Sequence, residues 1–403
     1  MKNKEICLFE NKSQCCACGA CMNICPKQAI TMEKDDDGFV YPQINKELCV
    51  GCGACQKVCA FQRVIEQEGA MKVYAATRND LDKLKKSTSG GIFATVAEKI
   101  IEKKGIVYGA CMVYESEKLF VKHVGVDNLN DLQKLQGSKY VQSEIGHIYS
   151  EIKQKLQTGV DVLFSGTPCQ VAGLKAFLNK EYENLLTIDI ICHGVPSIQL
   201  FQEHINLLEK ELGEKIKEYQ FRDKENGWGL RSRIVSEALN GEEKEYHYLP
   251  DDLSYYSLFL KGYIYRENCY QCKYTNSCRP GDITIGDYWG IGKEHPEFLS
   301  VNGGQVEQKN GISAVIANTK KGIQYMEAIS SELTLCCSDF EKVARGNAQL
   351  REPCKYPAER EKILKLYRNL GYEGVDKYAL KLVKRSRMKT KIKSIIKCFL
   401  HIR

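Results

Sequence analysis

No apolar run in this 403-residue chain approaches the roughly 20 residues of a membrane-crossing helix, which argues against a helical membrane protein. The opening residues, MKNKEICLFENKSQ, lack the apolar h-region of a secretory signal. A reducing, cytoplasmic setting is therefore expected. There, 20 cysteines speak for metal binding and against disulfides. Acidic residues are missing from one place: residues 377–403 hold 10 Lys/Arg and no Asp or Glu. The remainder carries 48 Lys/Arg against 51 Asp/Glu, so the formal charge of +7 belongs to that tail. This distribution argues against a general nucleic-acid-binding surface and for a local contact. Tail and contact aside, 403 residues that are 43% hydrophobic suffice for two or three domains with a substantial core.

What is present in excess is cysteine, in order. The first sixty residues read Cys15-x2-Cys18-x2-Cys21-x3-Cys25-Pro26, then Cys49-x2-Cys52-x2-Cys55-x3-Cys59. Given twice, this is the bacterial-ferredoxin spacing for two [4Fe–4S] cubanes, in which the fourth cysteine of each run serves the other cluster. The expected sets are Cys15, Cys18, Cys21 and Cys59 for one, and Cys49, Cys52, Cys55 and Cys25 for the other. Paired C-x2-C units also bind zinc, but zinc gives no reason for a third and fourth cysteine in both halves. Cysteines this close cannot all adopt disulfide geometry. Ala60 stands where the first run has Pro26, which alters the exit turn and not ligation. Cys7 and Cys16 fall outside the pattern.

Between the runs, AITMEKDDDGFVYPQI alternates on either side of Asp37-Gly38 and predicts a β-hairpin. Residues 61–71 look like a connector. From Val73 the pattern becomes strand and amphipathic helix in alternation, with Ile92, Phe93, Val96, Ile100 and Ile101 at helical spacing. Further helices are expected around 143–158 and 198–212. The fold class expected is α/β with a mixed sheet, mostly parallel, beside a small α+β ferredoxin-like domain. Residues 215–250 are expected to form an antiparallel insertion, and KNGISAVIANTKKG a final strand. Beyond Arg345 the chain looks charged and helical, without a recognisable core. The expected domains are 1–65, 66–345 and an extension 346–403.

Three stretches carry further chemistry. Ser87-Thr88-Ser89-Gly90-Gly91 opens a helix; such starts are commonly plain caps, and also bind phosphate. Gly166, Thr167, Pro168 and Cys169 form a strand-to-helix turn, where α/β sheets place ligands and a helix dipole lowers a thiol pKa. Cys269-x2-Cys272-x5-Cys278 lacks two complete ligand pairs, so a cluster or a zinc ion there must recruit from elsewhere. Cys169 and Cys192, at the ends of neighbouring predicted strands, are the available partners.

These residues carry a resemblance. Ser89-Gly90-Gly91, Gly137-Ser138-Lys139-Tyr140, Gly166-Thr167-Pro168-Cys169-Gln170, Ile191-Cys192, Cys269-x2-Cys272 and Asp282-Ile283 with Gly286-Asp287 stand in the order found in the coenzyme F420 hydrogenase/dehydrogenase beta-subunit family. With the ferredoxin part, the chain resembles that family over about three quarters of its length. The resemblance implies an iron–sulfur flavoprotein oxidoreductase that holds FAD beside a [4Fe–4S] cluster and exchanges electrons with the deazaflavin coenzyme or another acceptor. It places Ser89, Gly90, Gly91, Lys139 and Tyr140 at the FAD, with Gly166, Thr167 and Asp287 in the same binding region. It also supplies the expectation of a third cluster on Cys169, Cys192, Cys269 and Cys272, with Cys278 in reserve.

The expected partners are a redox protein or small electron carrier. The basic tail is expected to be either solvated or a docking arm for anionic lipid or an acidic partner. No residue pattern demands a protein acid or base. The alternative to an enzyme is an electron-transfer or accessory subunit without substrate chemistry of its own.

Overall fold

The computed structural model describes residues 6–62, 69–115 and 118–400, with side chains through 388. Most of the expected connector, residues 63–68, lies outside the described residues, as do the side chains of the last 15 residues of the basic tail. The N-terminal part holds α1 (Ala20–Ile24), β1 (Ile30–Lys34), β2 (Val40–Ile44) and α2 (Ala54–Lys57). The two strands pair antiparallel, Ile30 opposite Ile44 and Lys34 opposite Val40, which is the expected hairpin. Gly19 and Gly53 precede the two short helices with φ of +78° and +71°, a left-handed conformation that a side chain would resist. They sit at the same place in the two cysteine runs, so the repeat in sequence is a repeat in backbone.

The larger part begins with β3 (Lys72–Arg78), α3 (Leu81–Lys85), α4 (Ile92–Glu102), β4 (Ile106–Glu115) and β5 (Lys118–Val126). It continues through α5 (Leu129–Leu135), α6 (Ile148–Gln157), β6 (Val162–Gly166), α7 (Pro168–Leu178), β7 (Leu185–Ile190) and α8 (Ile198–Leu212). Then come β8 (Lys215–Gln220), β9 (Ser232–Glu237), β10 (Glu243–Tyr248), α9 (Ser254–Leu260), β11 (Ile283–Asp287) and α10 (Ile291–Glu294). The last elements are β12 (Ser313–Ala317), α11 (Lys320–Ala328), β13 (Leu333–Ser338), α12 (Phe340–Gly346) and α13 (Ala358–Leu400).

Eight strands form one sheet in the order β13-β3-β12-β11-β7-β6-β4-β5. Only the centre, β11-β7-β6-β4, is parallel; both flanks are antiparallel. The expected mostly parallel sheet with mixing at an edge is therefore mixed on both sides. The reason is local: β4 and β5, successive in the chain, pair antiparallel, and β11, β12, β3 and β13 pair successively antiparallel. Strands β8, β9 and β10 make the expected antiparallel insertion as a separate three-stranded sheet. Strand β12 is not the last, because β13 adds an edge strand alongside β3.

Two antiparallel steps return β3 to the direction of the parallel centre. The C-terminal ends of β3, β11, β7, β6 and β4 therefore share one end of the sheet. In such sheets that end opens the binding crevice. Residues beyond Arg345 do have a core. Ile363, Leu364, Tyr367, Tyr372 and Val375 of α13 are buried. All but Leu364 belong to the same apolar cluster as Phe201, Tyr255, Tyr256 and Phe259. The helix breaks at Gly371, whose φ of 63° and ψ of −168° are not helical.

Candidate metal centres and cofactor site

The eight N-terminal cysteines line two cavities. One is walled by Cys25, Cys49, Cys52 and Cys55. The other is walled by Cys15, Cys18, Cys21 and Cys59, with Cys16 and Cys55 at its margin. Each cavity takes three cysteines from one run and one from the other. Burial pushes the Cys21 thiol up to about 12, and its neighbours Cys15, Cys59 and Cys55 add to the effect. Burial also raises Cys55, followed among the raising effects by Cys52 and Cys25. A crowd of buried thiols resists ionisation until a cation is among them, and a coordinating thiol is then deprotonated outright.

A third set gathers at the shared strand ends. Cys169 is the second residue of α7, Cys192 follows β7 by two residues, and Cys269 and Cys272 lie in and just after a tight turn over Glu267–Gln271. Burial drives Cys192 up to about 12, and Cys169 and Cys272 push it further. Cys269 is raised by burial and by Cys192, Cys272 and Cys169, so the four sulfurs are within electrostatic reach of one another. Cys278, the reserve ligand, is exposed. Among the described residues, no three of these cysteine sulfurs lie within 4.8 Å of one another. Four thiolates on one zinc ion, at about 2.3 Å each, would stand about 3.8 Å apart. The set is wider than a single zinc ion requires.

The segment bearing Cys269 and Cys272 is pinned by a buried ion pair. Arg279 donates to Asp189 Oδ1 at 2.7 Å and to the Ile190 carbonyl at 2.8 Å, while Gly281 N–H donates to Asp189 Oδ2 at 2.7 Å. Cys16, unassigned by spacing, is buried in the apolar cluster against which Cys169 packs, and it raises the Cys169 thiol. Cys18 lies against Gly173 of α7, where a Cβ would stand 2.9 Å from its sulfur. The cavity of Cys15, Cys18, Cys21 and Cys59 thus borders the third set directly.

Residues 160–343 match the family described as the C terminus of the coenzyme F420 hydrogenase/dehydrogenase beta subunit. Residues 14–62 match a 4Fe-4S dicluster domain, a span that contains all eight N-terminal cysteines. Residues 160–343 therefore carry the C-terminal domain of F420 hydrogenase/dehydrogenase beta subunits, behind a 4Fe-4S dicluster domain. Among solved structures, it is similar to a chain of the F420-reducing [NiFe] hydrogenase complex from Methanosarcina barkeri. That likeness has 20% identity, covers 80% of this chain and 95% of that one, and has a TM-score of 0.43. No curated protein matches the chain. The matched family is one of oxidoreductase subunits, and the dicluster match marks the chain as an iron–sulfur protein.

The residues expected at FAD are placed as follows. Ser89, Gly90 and Gly91 lead into α4 at the strand-end side of the sheet, and α4 has no side-chain cap. Much of the loop is already engaged. Ser89 Oγ donates to the Ile312 carbonyl at 3.0 Å, and Gly90 N–H donates to Ser313 Oγ at 2.9 Å. Gly90 lies so close to β3 that a Cβ would fall 2.2 Å from the Ala76 carbonyl oxygen. Lys139 donates to the Gln136 carbonyl at 2.6 Å and is pulled down to about 8 by burial. Tyr140 stacks on Phe259 at 4.4 Å and accepts from Arg222 at 3.2 Å. Thr167 caps α7, its N–H donating to Gln170 Oε1 at 3.0 Å, and Gly166 ends β6 beside it. Asp287 is occupied by Arg222 at 2.7 Å and by the Trp228 indole at 2.7 Å.

Three arginines matter here beyond the expected site residues. Besides Arg279, Arg266 is wholly buried between the two parts. It donates to the Cys15 and Val40 carbonyls at 2.9 and 2.7 Å and lies 4.0 Å from the Tyr41 ring centre. Arg222 is the third, and it joins Tyr140 to Asp287. An arginine inside the aromatic run YIYRENCY was the available signal for Arg266, since burial there requires acceptors.

Proposed function

We propose that the chain is an iron–sulfur flavoprotein oxidoreductase that passes electrons between a redox partner protein and a small acceptor, the deazaflavin coenzyme or a similar carrier. In this reading Cys15, Cys18, Cys21 and Cys59 hold one [4Fe–4S] cluster, Cys25, Cys49, Cys52 and Cys55 a second, and Cys169, Cys192, Cys269 and Cys272 a third. The observation that carries it is the abutment of the second N-terminal cavity on the third cysteine set through Cys16, Cys18 and α7. Clusters supply one-electron carriers and a flavin supplies conversion to two-electron chemistry.

What this chain contributes at the flavin is position. Ser89 and Gly90 spend their own polar groups on β12 and its approach, so the uncapped start of α4 and the Lys139 ammonium are the groups left to attract phosphate. Lys224 braces the loop from the other side, donating to the Ser89 and Asn310 carbonyls at 2.5 and 2.6 Å. Tyr140, fixed by Phe259 and Arg222, offers an aromatic face held in one orientation.

Anaerobic purification of the full chain should yield about twelve irons and one FAD, with a flavin band that a small carrier bleaches and restores. Eight irons and no flavin would leave an electron carrier and overturn the enzyme reading.

A further inference from the structure

At the edge of the sheet farthest from β5, three unlike donors converge. His295 follows α10, Glu297 lies in the next turn, and Cys336 sits on β13 opposite Ala75. Their ligand atoms all fall within 4.8 Å of one another. His295 Nδ1 stands 3.1 Å from Glu297 Oε1 and 3.7 Å from Cys336 Sγ. The histidine side chain is 4% exposed and the glutamate 67%, so the group opens to solvent on one side.

We propose that His295, Glu297 and Cys336 form a zinc site with its fourth position open to water. Three observations favour it. The first is spacing: around a tetrahedral zinc with ordinary bond lengths, nitrogen stands about 3.3 Å from a carboxylate oxygen and about 3.6 Å from a thiolate. The two separations from Nδ1 differ from these by about 0.2 Å or less, and the Glu297 oxygen and Cys336 sulfur lie within 4.8 Å of each other. The second is orientation. His295 Nε2 is 2.9 Å from Ser338 Oγ, which in turn is 2.7 Å from the Tyr288 hydroxyl. This contact holds the ring in place and turns Nδ1 toward Glu297 and Cys336. The third is charge. Among the described residues no Lys or Arg forms an ion pair with Glu297: nearby Arg345 is committed to Glu294 at 2.6 Å, and Lys342 acts on Glu297 only from a distance.

Mixed nitrogen, sulfur and oxygen donors suit a borderline cation and disfavour calcium or magnesium, which take oxygen alone. Strands β3, β12 and β11 stand between β13 and β7, so this site shares no ligand with the cysteine sets of the proposed relay. Its effect would be to fasten the segment after α10 to an edge strand that otherwise has a neighbour on one side only. Without metal, the same atoms could hold a proton between His295 and Glu297, with the Cys336 thiol a bystander.

The experiment uses the full, iron-loaded chain equilibrated with zinc and then desalted, with metal content and zinc-edge X-ray absorption as readouts. About one zinc per chain is expected, with one sulfur and two or three nitrogen or oxygen neighbours. Cys336→Ser and Glu297→Gln should each weaken zinc binding at least about tenfold while iron content stays unchanged. Absence of stoichiometric zinc, or zinc in an all-sulfur shell indifferent to Cys336→Ser, would overturn the site.

Discussion

Burial of ionisable side chains sets the residue-scale behaviour of this protein. His204 and His123 are almost completely buried, and desolvation pulls them down to about 3 and about 4 from the ordinary 6.5. His204 stacks on Tyr255 and lies 3.3 Å from the Tyr372 hydroxyl; His123 stacks on Phe164 with one ring nitrogen at the Ser165 carbonyl. A histidine whose pKa falls on folding binds its proton more readily when unfolded. Its contribution is therefore complete above pH 6.5 and is lost as the pH falls toward the folded value. Each should cost about 2 kcal/mol of stability on going from pH 7.5 to pH 5. Urea midpoints across that range should fall steeply for the native chain and less steeply for His204→Phe. Equal slopes would mean that His204 does not titrate on unfolding. None of this was legible in the sequence, where seven histidines are scattered without pattern. The gathering of the N-terminal cysteines around two cavities was legible because cluster chemistry demands a spacing along the chain, whereas a buried histidine demands only a surrounding that distant residues supply.

Among the elements, the start of α4 separates what a motif says from what it does. Gly90 reads as part of a phosphate loop, and its place in the fold gives it an independent reason to be glycine: β3 and β12 leave no room for a side chain. Gly90→Ala would put a methyl group 2.2 Å from the Ala76 oxygen and 2.7 Å from the Ser313 nitrogen. Since all of these atoms are backbone, the loop and the sheet must part, at a cost of more than about 3 kcal/mol. Ser89→Ala gives up a single bond to the Ile312 carbonyl and should cost about 1 kcal/mol. Denaturant midpoints for the two variants should differ in that order, and a well-folded Gly90→Ala would refute the packing account. Elements themselves were mostly readable from apolar periodicity, with two exceptions of physical interest. β13 was not readable because LTLCCS is a half-buried edge strand whose alternation is weak. The core face of α13 was not readable because Ile363, Tyr367 and Val375 are spaced among many charges, and the aromatic cluster that covers them comes from α8, α9 and β8 and the residue after it. Cutting the chain after Tyr372 would remove Val375 and Ala379 from that core, together with the buried Val383, so the packed element continues well into the segment that composition marks as a basic tail.

At the scale of the whole molecule, the ferredoxin-like part is bound to the larger part by polar contacts that run from the exposed rim to a fully buried arginine. Asn23 donates to the Gly146 carbonyl at 2.7 Å, Gln142 to the Cys16 carbonyl at 3.3 Å, and Arg368 pairs with Asp37 at 2.8 Å. Arg266 is the most deeply placed of these, fully buried, with Cys15 and Val40 carbonyls and the Gln142 side chain as acceptors. It does two things at once. Its fork fills three acceptors that would otherwise be buried unsatisfied, each worth about 1–3 kcal/mol. Its charge also lowers the Cys15 thiol against the larger, opposing effect of burial. In the reading proposed above, Cys15 ligates a cluster, and a buried cation beside a cluster favours its reduced, more negative state. The two roles can be separated by substitution. Arg266→Lys keeps the charge and loses the fork, so it should lower the melting temperature while leaving most of the reduction potential in place. Arg266→Met loses both, and the potential of the cluster at Cys15, Cys18, Cys21 and Cys59 should move downward by roughly tens of millivolts, where about 59 mV is tenfold for one electron. Potentiometric titration followed by paramagnetic resonance reads the shift, and iron content shows whether the cluster is retained. If Arg266→Met keeps its iron and its potential, the arginine serves docking alone and the electrostatic coupling of the two parts is wrong.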